Sequence, residues 1–106
     1  MSASVVYVTA SSREEALAIG RAVVSERLAA CANVIGAIRS IYWWEGKIDE
    51  GDEALLILKT TEDRLDSLIE RIRGLHSYTT PCVTAWPIAA GNPDCLAWIE
   101  AETTGD

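Results

Sequence analysis

The side chains best suited to hold a metal ion or attack an electrophile are one imidazole and three thiols: His76, Cys31, Cys82 and Cys95. His76 stands six positions before Cys82, in a segment His76–Pro81 that reads as a loop between a helix and a strand. If the loop folds back, an imidazole nitrogen and a thiolate can share one soft or borderline metal ion. Each residue also has a plainer use, which the residues alone favour. A histidine near a helix C-terminus hydrogen-bonds free carbonyls, and a lone cysteine is commonly a small buried hydrophobe. Cys82 or Cys31 as nucleophile with His76 as base lacks an orienting acid and an oxyanion donor set, so no catalytic residue is assigned and no turnover chemistry is expected. Cys95, opening a last short helix, reads as packing. Lys59, ending an apolar strand, is a candidate buried or interface cation without a named counter-ion.

Composition narrows the partners. The chain has 106 residues, 49% hydrophobic and 24% charged, which is one domain, 1–106, with one core. Nine Lys and Arg against 16 Asp and Glu give a net charge of −7, so a phosphate backbone is a poor partner and cations are acceptable ones. No run of about 18 apolar residues is present to cross a bilayer. There is no basic segment followed by an apolar one at the start, and the odd, scattered cysteines are unlike a secreted disulfide scaffold. Cytoplasmic residence with free thiols is the expectation. No nucleic acid and no membrane is expected as a partner.

The elements that must position these residues are legible in turn. Val5–Thr9 reads as a central strand buried on both faces. Ser12 and Glu15 form a capping box, and Ala16, Leu17, Ile19, Gly20, Val23, Val24 and Leu28 follow at helical spacing. Gly20 inside that stripe allows close approach to a sheet. Asn33–Trp44 alternates, with Val34, Ile38, Tyr42 and Trp44 on one face and Ile35, Ala37, Ile41 and Trp43 on the other. Glu45-Gly46 marks a hairpin turn. The return strand, Lys47–Thr61, contains an acidic stretch, Asp49–Asp52, expected to bulge or loosen it. Thr60 or Thr61 caps a second helix with Gly74 as a stop. Cys82–Trp86 is a strand that Pro87 ends or places at an edge, and Asn92-Pro93-Asp94 opens a last helix.

The order β-α-β-β-α-β plus a helix predicts an α+β, ferredoxin-like sheet of order 4-1-3-2 with both helices on one face. The starts of the second and fourth strands then lie at opposite ends and opposite edges. Cys31 therefore cannot join His76 and Cys82 within one subunit, and a site using all three has to be shared between copies. The long hairpin, apolar on both faces, predicts an oligomer. Four Trp, three Tyr and no Phe reinforce this, because Trp43, Trp44, Trp86 and Trp98 fall on the hairpin, the edge strand and the last helix.

Over nearly the whole chain, Leu28–Val34, Ser40–Ile48, Leu58–Thr61, His76–Pro81, Pro87-Ile88, Gly91 and Leu96–Ile99 resemble the divalent-cation tolerance family, CutA. The resemblance implies a ferredoxin-like subunit in a tight homotrimer similar to the PII signalling proteins, cytosolic in bacteria and associated with tolerance to copper and other divalent cations. Its metal-associated residues match at Cys31 and His76. Where the family usually has Glu, this chain has Cys82, which either shifts preference toward Cu(I) or Zn or removes the position from the ligand set. The leading expectation is thus a cytosolic homotrimer that binds a divalent or soft metal ion, copper among them, through His76, Cys82 and Cys31. The alternative is a PII-like sensor or assembly module that takes a small ligand in inter-subunit clefts lined by Tyr42, Trp44, Tyr78 and His76.

Overall fold

The β-branched run Val5–Thr9 forms the middle of β1 (Ala3–Ala10), which pairs on both sides and so lies inside the sheet. A computed structural model describes residues 2–104. After β1 come α1 (Arg13–Ser25), β2 (Cys31–Trp44), β3 (Lys47–Thr61), α2 (Glu62–Leu75), β4 (Val83–Pro87) and α3 (Pro93–Glu102). All pairings are antiparallel, in the order β2-β3-β1-β4. This is the α+β, ferredoxin-like order read from the sequence.

Local signals place the helices. The Ser12 hydroxyl accepts the Glu15 N–H at 3.1 Å and caps α1. The Glu15 carboxylate does not return to the cap residue; it accepts from the Ser11 N–H at 2.9 Å and the Ser11 hydroxyl at 2.8 Å. Gly20 meets the sheet as expected: a Cβ there would stand 3.1 Å from the Ala32 Cβ and 3.3 Å from the Leu56 Cδ1. Arg27 turns the chain at a φ of 59°, so Leu28 packs on the core from the loop rather than from the helix. Thr61 caps α2 without a side-chain bond, while the Thr60 hydroxyl donates to the Leu28 carbonyl at 2.6 Å. The helix runs past Gly74 to Leu75.

Even-numbered residues of β1 and β3, among them Val6, Val8, Leu56 and Leu58, pack with Ile19 and Val23 of α1 and Leu68 and Ile72 of α2. α1 and α2 cover only this face, while α3 packs Ile99 against Ala3 at one end of the opposite face. Elsewhere on that opposite face, Val5, Tyr7, Thr9, Leu55, Ile57 and Lys59 are half-buried, so β1 is central but not sealed on both sides within the subunit.

The hairpin departs from the sequence reading. Asp49–Asp52 does not loosen β3; these residues pair regularly with Tyr42 back to Arg39. The irregularity falls on β2, where Ile35 pairs with Leu55 and Ile38 with Glu53, leaving Gly36 and Ala37 opposite Ala54. Ala37 takes a φ of 38°. One extra residue reverses the alternation. Val34 therefore shares the helix face with its partner Leu56, whereas Ile38, Tyr42 and Trp44, paired with Glu53, Asp49 and Lys47, lie with Ile35 on the open face. Grouping Val34 with the later three is thus corrected.

β1 accompanies β3 only from Ala54 to Thr61. Beyond it, Ile38–Glu53 is a two-stranded ribbon closed by Glu45 and Gly46, whose φ values of 49° and 81° suit a type I′ turn. The ribbon makes the molecule 43 Å long against 25 and 22 Å across. At its end Trp43, Ile41 and Ile48 are 72%, 67% and 61% exposed.

Candidate functional site

His76 is the C-cap of α2, and its side chain is fully buried. Its Nδ1 accepts the Tyr78 N–H at 3.1 Å, which leaves the proton on Nε2 to donate to the Thr9 carbonyl at 2.8 Å. Both ring nitrogens are engaged, so a metal ion at His76 has to displace one of these partners. Beside it lies Glu15, whose Oε2 is 4.0 Å from Nδ1 and accepts the Ser77 N–H at 2.8 Å. Burial pushes the Glu15 carboxyl up, but the hydrogen bonds from Ser11 and Ser77 outweigh it and bring its pKa down to about 2. The loop after α2 is thereby fastened to α1 and to the end of β1.

The thiols stand apart. Cys31 opens β2 opposite Lys59, whose Nζ lies 4.0 Å from Sγ and donates to the Asn33 Oδ1 at 3.4 Å. No carboxylate pairs with Lys59 among the described residues, so the counter-ion left open by the sequence is not a carboxylate within the subunit. Register carries Lys59 on to Val5, near the start of β1, while Val83, just after Cys82, pairs with Val8 near its end. Cys31 and Cys82 accordingly occupy opposite edges and opposite ends of the sheet. Cys82 is exposed, and so is Cys95, which overturns the packing role expected for Cys95: α3 buries only Ile99. Among the described residues no three His, Cys, Asp or Glu side chains converge as a metal-binding group.

What does converge is a hollow of about 950 Å³ on the open sheet face, between β1, the ribbon and the loop after α2. Tyr7, Tyr42, Trp44 and Tyr78 line it with Asp49, Glu53 and, on the loop side, Cys82. The Tyr78 hydroxyl donates to the Glu53 Oε2 at 2.7 Å. Burial and that carboxylate push the Tyr78 phenol well above its ordinary value, so it remains a donor. Its ring also packs on His76, with centroids 4.7 Å apart. Sequence reasoning named Tyr42, Trp44 and Tyr78 but missed Glu53 and Asp49. The register set by the turn at Glu45-Gly46, which pairs Asp49 with Tyr42 and Glu53 with Ile38, was the available signal, hidden by reading Asp49–Asp52 as a loosened stretch.

The CutA1 divalent ion tolerance protein family model matches residues 4–102. The divalent-cation tolerance protein CutA of Thermus thermophilus is 46% identical over 99 residues, covering 93% of this chain and 96% of that protein. The chloroplastic protein CutA 1 of Oryza sativa is 44% identical over 99 residues, 93% of this chain but 56% of that protein. This chain thus spans about half the length of the rice relative. Among solved structures, CutA1 from Oryza sativa superposes with a TM-score of 0.95 at 42% identity, covering 100% of this chain and 97% of that one. The structure named periplasmic divalent cation tolerance protein CutA, from Archaeoglobus fulgidus, gives 0.92 at 39% identity, covering 95% and 98%. Sequence, sheet order and coverage agree, and this chain belongs to the CutA1 divalent ion tolerance family.

Proposed function

We propose that this chain is a cytoplasmic, non-enzymatic divalent-cation tolerance protein that works as a homotrimer and binds a divalent or soft metal ion, copper among them, at the junctions between copies. The tolerance role is supported by the names of its relatives. Three free cysteines suit a reducing compartment, and no described helix is long and apolar enough to cross a membrane. The observation that carries the assembly is the separation of Cys31 and Cys82 on unlike edges of one sheet, beside an apolar ribbon that nothing in the subunit covers. A contact between unlike edges is head-to-tail and closes into a ring when the rotation fits. Because the two thiols also lie at opposite ends of the sheet, the copies must be offset along the strands for Cys31 of one to reach Cys82 of the next, a donor pair suited to Cu(I) or Zn. His76 joins by releasing the Tyr78 N–H.

Titration with Cu(I) tests this: Cys31→Ser, Cys82→Ser and His76→Ala are each expected to weaken binding about tenfold or more, and light scattering to give three times 11.5 kDa. Unchanged affinity in all three variants removes the metal site, and a single-chain mass at micromolar concentration removes the assembly. The hollow supports a second reading, the PII-like small-ligand sensor, with Tyr42, Trp44 and Tyr78 at the ligand and His76 behind Tyr78. Stabilisation by a metabolite in the presence of chelator favours the sensor over the metal protein.

A further inference from the structure

We propose that the hollow on the open sheet face takes an organic ammonium ion, a ligand class that rests on the small-ligand reading. Its wall combines the rings of Tyr7, Tyr42, Trp44 and Tyr78 with the carboxylates of Asp49 and Glu53. Aromatic faces present negative potential to a cation, more effectively when water is excluded. Arg39 is the one cationic residue at the hollow, and its guanidinium is tied to Glu50 at 2.9 Å and Asp52 at 3.0 Å. Arg39 and Asp52 pair on the opposite side of the ribbon from Glu53, so that charge is committed away from the ligand. Glu53 is held on Oε2 by Tyr78, and its Oε1 has no hydrogen-bond partner among the described residues. An ammonium N–H can donate there without displacing any protein contact.

Other ligands fit less well. An anion meets two carboxylates on a chain of net charge −7. A bare metal ion finds Asp49, Glu53 and Cys82 on the wall, but among the described residues no three His, Cys, Asp or Glu side chains converge to hold it. At about 950 Å³ the space is in the range of sites for small organic molecules, roughly 300–1,000 Å³. The strands fix Asp49 and Glu53, and the Tyr78 ring is held by His76 and by its own hydroxyl, so most of the wall is formed before binding.

The test is calorimetric titration of the full chain in its native assembly, in chelator, with phenethylammonium and with its uncharged counterpart 2-phenylethanol. The ammonium is expected to bind about tenfold tighter or better, and Glu53→Gln and Asp49→Asn to erase most of that preference with unchanged circular dichroism and mass. The amide oxygen introduced by Glu53→Gln can still accept from Tyr78, and Asp49 is exposed, so both variants keep the fold. Equal binding of 2-phenylethanol, or equal binding by both variants, overturns the ammonium class and leaves a neutral-ligand site. No binding of either compound up to about 10 mM, a free energy of only about −3 kcal/mol, overturns the ammonium class, while the small-ligand reading is decided separately by stabilisation with a metabolite in chelator.

Discussion

The same two strands behave differently at their two ends. Where β3 is flanked by β1 and roofed by the helices, Ala54, Leu56, Leu58 and Thr60 are at most 1% exposed. Along the ribbon, every residue from Ile41 to Glu50 is exposed, although Ile41, Trp43 and Ile48 are as apolar as the core. A two-stranded ribbon is at best marginally stable in water by itself. The covered end is stabilised by burial within the chain; the ribbon carries apolar side chains that only another molecule can bury. The subunit is therefore built around one finished half of a hairpin and one unfinished half.

Replacing apolar groups in each half separates their roles. In the ribbon, Trp43→Ser combined with Ile48→Ser is expected to have the largest effect, about 4 kcal/mol or more per interface, read as a fall from trimer to single chain in light scattering with the subunit's circular dichroism retained. At the covered end, Leu56→Ala is expected to cost about 3 kcal/mol of stability in chemical denaturation without changing the assembly of the folded protein. Glu15 gives the covered end an acid sensitivity. Its pKa is depressed from 4.5 to about 2, so its contribution is full above pH 4.5 and is lost as pH falls through 2. For a largely buried group this is roughly 2 kcal/mol, and Glu15→Gln should flatten the stability profile in that window. At the junction of the two halves, Tyr78→Phe removes the bond to Glu53, at about 1 kcal/mol in thermal unfolding. The smallest effect is expected at the tip, where Glu45→Asn should stabilise by about 0.5 kcal/mol because Asn tolerates a positive φ better.

The legibility of the chain divides along the same line. Caps, stripes and turns are local, so Ser12, Gly20, Glu45-Gly46, Thr61 and Asn92 announced their elements, and the order of elements then implied the sheet. The bulge at Gly36 and Ala37 was not legible, because it exists only relative to the partner strand. That single residue put Val34 on the wrong face, whereas Glu53 and Asp49 were lost to the site by reading Asp49–Asp52 as a loosened stretch of a strand that is in fact regular there. His76 was singled out by type alone, yet its ring is saturated by Thr9, 67 positions away, and by Tyr78, neither of which spacing reveals. Cys95 was misjudged because the amphipathic pattern of α3 is weak and the helix buries one residue. Cys31 and Cys82 fared better: strand order alone separated them, and the registers agree.

That separation is the centre of the account, and subunit mixing tests it most directly. Cys31→Ser and Cys82→Ser chains are unfolded together, refolded as a mixture and titrated with Cu(I) beside each variant alone. If the site lies between copies, each variant alone has lost binding, while the mixture recovers about a quarter of the wild-type sites, those in which an intact Cys31 faces an intact Cys82. A mixture as inactive as its components, or single variants that bind like the wild type, would contradict it.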